Sequence, residues 1–462
     1  MHHSNRNPLQ FQQTRIQKHS KNTNSYQFFN TLTGPELFSE VEALLPEHRE
    51  RVFPPTETLS MFLAQVMNPD SSCQNAVNDA AISRLVGGLT SCSTATGGYC
   101  KARQRLPTDM ISKLAVRTGE LLDHNCPNQW RWKGKKVRLI DGTTALMPDT
   151  EKNQIAYPKH KGQKEGLGFP ICRMVGVICL SSGAILNAAI GKFNGKGSSE
   201  QTLLRQLLET FENGDVVLGD AYFGTYFLLA ALQEKGVDAL FEQLGARKKT
   251  VDFSQGEKLG PQDHIITLKK PKTCPDWMTK DQYYQAPETL DIREFKVSGK
   301  ILISTFMSAK ENPKHVLKDL YKSRWHVELD LRNIKTTLGM EMLHCKTPEM
   351  NEKEIWVYFL AYNLIRLLMA QAALLADILP RQISFKHSLQ LWLSWSMRSK
   401  QGQHENLDPM FILMAQNRVA NRGGRIEPRA LKRRPKAYPM LMKPRACARE
   451  EVKKNGHPKK LK

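Results

Sequence analysis

Asp141 closes the run KKVRLID, Lys135 to Asp141, and Asp220 closes the run DVVLGD, Asp215 to Asp220. Both runs are short, apolar and rich in branched residues, which is how a buried strand reads. Each acid therefore stands at a strand end. A single Asp there is usually a turn or cap residue, but two at neighbouring strand ends would share one site. Hard divalent cations take oxygen ligands, and two such ions about 3.5–4 Å apart supply both an activated water and stabilisation of an oxygen leaving phosphorus. Three carboxylates from separate elements suffice to hold them, so the chemistry to look for is phosphodiester cleavage without a covalent enzyme intermediate.

The third acid is sought in a long helix predicted from Asn312 and Pro313, cap and first turn, through at least Leu338. Tyr321, Arg324, Glu328 and Lys335 stand at relative positions 0, +3, +7 and +14. At about 100° per residue they fall within an arc of about 60°. Such a stripe faces either solvent, with Arg324 and Glu328 as an ordinary surface pair, or a site. Asp330 lies about 200° round the helix from Glu328 and Glu341 falls past its regular end, so Glu328 is the chosen acid. His326 is available as a base, but a metal-activated water does not require one.

The whole chain of 462 residues carries +22 at a sequence pI near 9.6, which suits a polyanion, above all nucleic acid. Between Arg418 and Lys462 there are 16 basic and 3 acidic residues. Arg422, Arg425, Arg429, Lys432, Arg433 and Arg434 lead this run, and Pro428, Pro435, Pro439 and Pro444 interrupt any helix. The reading is a flexible arm lying along phosphates. The nine cysteines form no CxxC pair and the N-terminus has no secretory h-region, so a reduced, cytoplasmic, nucleoid-associated protein is expected. Cys172 and Cys179 are expected as small buried hydrophobes on strands. Ile355 to Leu379 is apolar, but Asn363, Arg366, Gln371 and Asp377 interrupt it, so a buried core helix is expected and no membrane span.

The expected fold is α/β: a ribonuclease-H-like catalytic core with a β-rich insertion, preceded by a helical domain and followed by helices and the basic tail. Residues 1–27 read as a disordered basic N-terminus. Residues 28–128 read as helical, with segments opened at Pro35, capped at Thr56 and opened at Pro107. This region either recognises DNA ends through a helix in a groove or merely supports the next domain. In 129–345 the order strand, strand, strand, helix, strand, helix, strand, with acids ending the first and fourth strands, resembles the ribonuclease-H-like fold. Its strands include FPICRMVGVICL and GAILNAAIGKF, joined by Ser181, Ser182 and Gly183, then the helix SEQTLLRQLLETF. The insertion spans 247–308, helices fill 346–415, and the tail is 416–462.

YKSRWHVELDLRNIK, Tyr321 to Lys335, resembles the Y-(2)-R-(3)-E-(6)-K signature of the insertion-sequence-four family of bacterial DDE transposases, complete in spacing and residue type. It lies downstream of DGTT and GDAY segments similar to the family's two aspartate motifs. The aspartates are 79 positions apart and the glutamate follows 108 later, room enough for the family's β-rich insertion. The resemblance runs from the helical N-terminus into RIEPRALKRRPK, which begins at Arg425. It implies cut-and-paste transposition: hydrolysis at transposon ends and strand transfer into target DNA, often through a hairpin. It implies Asp141, Asp220 and Glu328 as ligands of two Mg²⁺ ions, with Mn²⁺ able to substitute. Tyr321, Arg324 and Lys335 would contact phosphates, as their donors allow. Trp325 and Trp277 are candidates for stacking on an unpaired base, although both also read as packing aromatics. The implied partners are terminal inverted repeats, a target duplex and a second copy of the chain. A nuclease or junction resolvase lacking strand transfer, or a non-catalytic DNA-binding descendant, are the alternatives.

Overall fold

A computed structural model describes residues 43–44, 52–88, 92–160, 162, 168–195, 197–275, 277–399, 407–419 and 443–456. Pro35 and the basic residues Arg422 to Lys436 lie outside them. Helices α1 (Pro55–Met67), α2 (Cys73–Val86), α3 (Gly97–Arg105) and α4 (Thr108–His124) precede the first strand. Thr56 is not the cap expected of it. Pro54 occupies that place and Pro55 opens the helix, since a fixed φ suits a first helical position.

One nine-stranded sheet follows. Its first half is β1 (Val137–Leu146), β2 (Ile171–Cys179), β3 (Ile185–Lys192), β4 (Val216–Gly219) and β5 (Asp238–Glu242). The spatial order is β3, β2, β1, β4, β5, with β1, β4 and β5 parallel and β2 and β3 antiparallel. This is the ribonuclease-H-like arrangement read from the sequence. Gly183, at φ 78°, makes the tight turn between β2 and β3. The short helix α5 (Glu151–Ala156) follows β1, and α6 (Glu200–Arg205) and α7 (Tyr226–Glu234) flank β4. The helix expected over SEQTLLRQLLETF is thus one short α-helix followed by a 3₁₀ turn at Leu208–Thr210.

The strands expected in the insertion form, and they do not make a separate layer. After a short turn of helix, α8 (Gly245–Lys248), come β6 (Glu257–Gly260), β7 (Asp263–Lys269), helix α9 (Lys280–Gln285), β8 (Thr289–Val297) and β9 (Lys300–Ser304). Strand β9 pairs antiparallel with β5, so the sheet continues as β9, β8, β7, β6. An open edge at β5 would leave backbone donors and acceptors unpaired, and β9 satisfies them.

Alternation along the central strands sends Val137, Leu139, Val216 and Leu218 to one face and Ile140 and Val217 to the other. The second face is covered by Leu203 and Leu204 of α6 and Leu228, Leu229 and Leu232 of α7. The first is covered by α10 (Lys314–Lys322), α11 (Trp325–Arg332) and α12 (Pro348–Ala376). Helix α12, 29 residues and almost wholly buried, is the core helix expected from its interrupted apolar run. Helices α13 (Phe385–Ser399) and α14 (Asp408–Gln416) pack on it, Met410, Phe411 and Met414 being buried.

The predicted long helix over 312–338 is broken. Pro313 is its N-cap and the helix starts at Lys314, while the Asn312 side chain instead accepts from Lys133. At Ser323 and Arg324 the backbone donors bond carbonyls three residues back, which tightens the turn between α10 and α11. A π-helical turn, Asn333–Thr337, then ends it. The tail also departs from expectation: Pro444 does not prevent a helix but caps one, α15 (Arg445–Asn455). Arg445 fixes it by donating to Asp149 and to the Gly168 carbonyl.

The helical and α/β parts meet tightly. Asn363 of α12 donates to the carbonyls of Ala115 and Ile185 and accepts from Ile185 N–H, tying α4 to β3. A Cβ at Gly119 would lie 2.0 Å from the Ile185 carbonyl oxygen. Backbone cannot yield cheaply there, so Gly119→Ala is expected to destabilise by about 1–3 kcal/mol despite its better helix propensity. Urea unfolding measures this; an unchanged midpoint would contradict the packing.

Candidate active site

The parallel register Val137↔Val216, Arg138↔Val217, Leu139↔Leu218, carried two residues further, sets Asp141 beside Asp220. Neighbouring strands run about 4.8 Å apart. By parity both acids belong to the face that carries Leu139 and Leu218, on which α11 packs through Val327 and Leu331. At the other end of the same strands Arg138 is buried with two acids: Nε donates to Asp215 at 2.9 Å and Nη1 to Asp123 at 2.6 Å.

The expected strand end at Asp141 is not one: β1 runs on to Leu146, paired with β2, so Asp141 is mid-strand just past the last pair with β4, while Asp220 follows the last residue of β4. Both acids are tied down by local backbone. Asp141 Oδ1 accepts from Gly142 N–H at 2.8 Å, and Asp220 Oδ1 from Tyr222 N–H at 2.9 Å. Burial pushes the Asp141 carboxyl up to about 6. The charges of Asp220 and Glu200 add to that shift, and the Gly142 N–H and Arg324 oppose it.

Glu328 sits in the first turn of α11 with its side chain 36% exposed. Arg324, at the N-cap, donates from Nη2 to Glu328 Oε1 at 2.8 Å, while its Nη1 lies 4.0 Å from Asp141 Oδ2. The guanidinium thus links the third acid to the first. Among the described residues, no three His, Cys, Asp or Glu side chains stand close enough together to hold a metal. Glu328 is engaged by Arg324. The donor set nonetheless fits a hard divalent cation, because it is all oxygen and Asp141 and Asp220 stand close enough for their like charges to act on one another.

Tyr321 is buried, burial lifts its phenol to about 12, and the charges of Arg324, Glu242 and Asp220 all act on it. Lys335 lies in the π-helical turn, so a uniform 100° per residue does not reach it. It stands close enough to the buried Cys172 thiol of β2 to oppose the rise that burial causes there. Trp325 is 57% exposed, so it does not take the alternative role of a packing aromatic. Trp277 does: its ring meets Phe227 edge-on at 5.9 Å and Arg205 covers its face. Asp330 is buried against Arg366 and Arg381, and burial beside Arg381 lowers His326 to about 4, so both belong to an ion network apart from Asp141 and Asp220. The tail residues Arg422, Arg425, Arg429, Lys432, Arg433 and Arg434 lie outside the described residues.

Sequence reasoning missed Glu200 and Arg173. Glu200 opens α6, and its carboxyl lies over Gly142, where a Cβ would come within 2.3 Å of it. Arg173 of β2 has its Nε 3.9 Å from Glu200 Oε1. The available signal was the Asp-Gly pair after the apolar run that opens β1 and an acid opening the helix after β3.

The Asp141 carboxyl titrates above its unfolded value, so it opposes folding increasingly as pH rises through about 6. Asp141→Asn is therefore expected to stabilise the metal-free protein at pH 7.5 by about 1–3 kcal/mol, with the gain gone near pH 4. Melting curves at the two pH values check it; equal gain at both would place the cause elsewhere.

The Transposase DDE domain model matches residues 132–364. The chain is 29% identical over 357 residues to "Transposase InsG for insertion sequence element IS4" of Escherichia coli strain K12, covering 76% of this chain and 79% of that protein. It is 26% identical over 145 residues to "Putative transposase InsZ" of the same strain, 31% of this chain and 47% of that one. Among solved structures, the piggyBac transposase synaptic complex with hairpin DNA covers 84% of this chain and 83% of its own, at 11% identity and a TM-score of 0.43.

Proposed function

The chain belongs to the Transposase DDE domain family and is a DNA transposase of the insertion-sequence-four type, and from that premise we propose that Asp141, Asp220 and Glu328 are its three acids, holding two Mg²⁺ ions. Mn²⁺ would substitute. Membership sets aside the junction-resolvase and binding-only readings. The observation that carries the assignment is the β1–β4 register, which aligns the two aspartates on the face where the Glu328 helix packs.

Bound divalent cations supply an activated water and stabilise the oxygen leaving phosphorus. The chain's own residues do the rest. Asp141 and Asp220, each anchored through Oδ1 to backbone, present fixed oxygens. Arg324 holds Glu328 in place by donating to its Oε1, and its guanidinium turns to a phosphate oxygen when DNA arrives. Tyr321, whose phenol stays protonated, donates to phosphate. Lys335 adds charge to the same strand of DNA. Trp325, exposed beside Arg324, stacks on a base unpaired at the cut end. The substrates are the terminal inverted repeats and the target duplex, in a cut-and-paste reaction carried out by a dimer that pairs the ends.

Glu328→Gln is expected to lower Mg²⁺-dependent nicking at an inverted-repeat end more than about 100-fold, beyond the loss of an outer-shell partner, with end binding retained. Gel assays on labelled ends measure both, and wild-type nicking by the variant would discard the assignment. Removing residues 420–462, which spares the buried Met410, Phe411 and Met414, is expected to flatten the salt dependence of DNA binding. The slope falls by about 0.9 for every phosphate that the shortened chain no longer neutralises. An unaltered slope would show that the tail is not on the DNA.

A further inference from the structure

The middle of β1, at Asp141 and Gly142 just past its last pair with β4, is approached from both sides of the sheet. From one side α11 brings Glu328, linked through Arg324 to Asp141. From the other side α6 brings Glu200, whose Leu203 and Leu204 pack on the opposite face of the strands. Asp141 and Gly142 alternate between those faces, so Gly142 is the point at which the α6 side reaches β1 next to Asp141. A Cβ at Gly142 would lie 2.3 Å from the Glu200 carboxyl carbon and 2.4 Å from its Oε1. The Glu200 carboxyl rests where any other residue's side chain would begin. It is close enough to Asp141 and Asp220 for their like charges to act on one another.

Burying a further acid beside two others opposes folding, and the surroundings compensate it only in part. Arg173 Nε stands 3.9 Å from Glu200 Oε1, beyond hydrogen-bond reach, and that nitrogen has no hydrogen-bond partner. The same guanidinium donates from Nη1 to the Ser198 carbonyl at 2.7 Å and lies over the Phe193 ring. It thus fixes the start of α6. Ser199 caps that helix by accepting from Thr202 N–H, which leaves Glu200 directed by its helix start and not by a capping role of its own.

We infer that Glu200 is a fourth carboxylate of the active site, delivered through the gap at Gly142 to help hold the divalent cation between Asp141 and Asp220, with Arg173 positioning it. The inference rests on the assignment of Asp141, Asp220 and Glu328 made above. It explains why the residue after Asp141 is a glycine although its backbone is not in a left-handed conformation. It also makes the site a clamp, with acids from helices on opposite faces of one strand.

The test is calorimetric titration of Mn²⁺ into the full-length protein bound to pre-cleaved end DNA, comparing wild type, Glu200→Gln, Gly142→Ala and Asp141→Asn. Melting temperature and end-DNA affinity are measured alongside. Glu200→Gln is expected to weaken Mn²⁺ binding about 10-fold or more with DNA affinity unchanged and the melting temperature not lowered. Gly142→Ala, which displaces the same carboxyl, is expected to match it, and Glu200→Asp to recover part of the loss. A Glu200→Gln protein that titrates like wild type while Asp141→Asn does not would overturn the inference and leave the three-acid assignment standing. An Asp141→Asn protein that titrates like wild type would remove the assignment itself.

Discussion

The register between two parallel strands is the constraint on which the structure depends. Arg138, fully buried, bonds Asp215 just before β4 and Asp123 at the end of α4, so strand β1 cannot slide against β4 without stranding charges in the core. Breaking a buried pair of this kind is far costlier than forming it is favourable, which makes it a device of specificity more than of stability. With the lower ends held by attraction, the upper ends bring two like charges together. A slip of one residue would also turn Asp141 to the opposite face. The attraction below thereby enforces the repulsion above, and the repulsion is what a divalent cation relieves.

Arg324 has a place in the same balance. It links Glu328 to Asp141 in the protein alone, and it has the geometry to grip a phosphate oxygen. A guanidinium that shields acids in the absence of metal, and moves to substrate when the acids acquire other partners, serves both states without burying an uncompensated charge. The break between α10 and α11 matters here, because it puts Arg324 at a helix start and Glu328 in the first turn, where the helix dipole favours an acid.

Much of this is legible from residue order. The strand order, the apolar runs ending in Asp141 and Asp220, and the buried character of α12 all follow from periodicity and length, because local pattern and global packing agree there. What residue order does not carry depends on long-range pairing or on local irregularity. The insertion strands can be picked out one by one, but their continuation of the main sheet is decided by β9 pairing with β5, which no local pattern encodes. The stripe of Tyr321, Arg324, Glu328 and Lys335 assumes one regular helix, and the tightened turn at Ser323 and the π-turn at Asn333 break that assumption. In the tail, Pro444 reads as a breaker, although a proline before a helix commonly starts one. Glu200 is not singled out by residue order, which offers only an Asp-Gly pair and a helix-opening acid, because its proximity to Asp141 rests on an absent Cβ at Gly142 and on how α6 crosses the sheet.

The most direct measurement is the anomalous diffraction of the protein crystallised with end DNA and Mn²⁺. The account predicts two manganese peaks about 3.5–4 Å apart between the middle of β1 and the end of β4, ligated by Asp141 and Asp220, with Glu328 released from Arg324 onto an ion. Manganese bound by other acids, or Glu328 still paired with Arg324 and far from every ion, would contradict it.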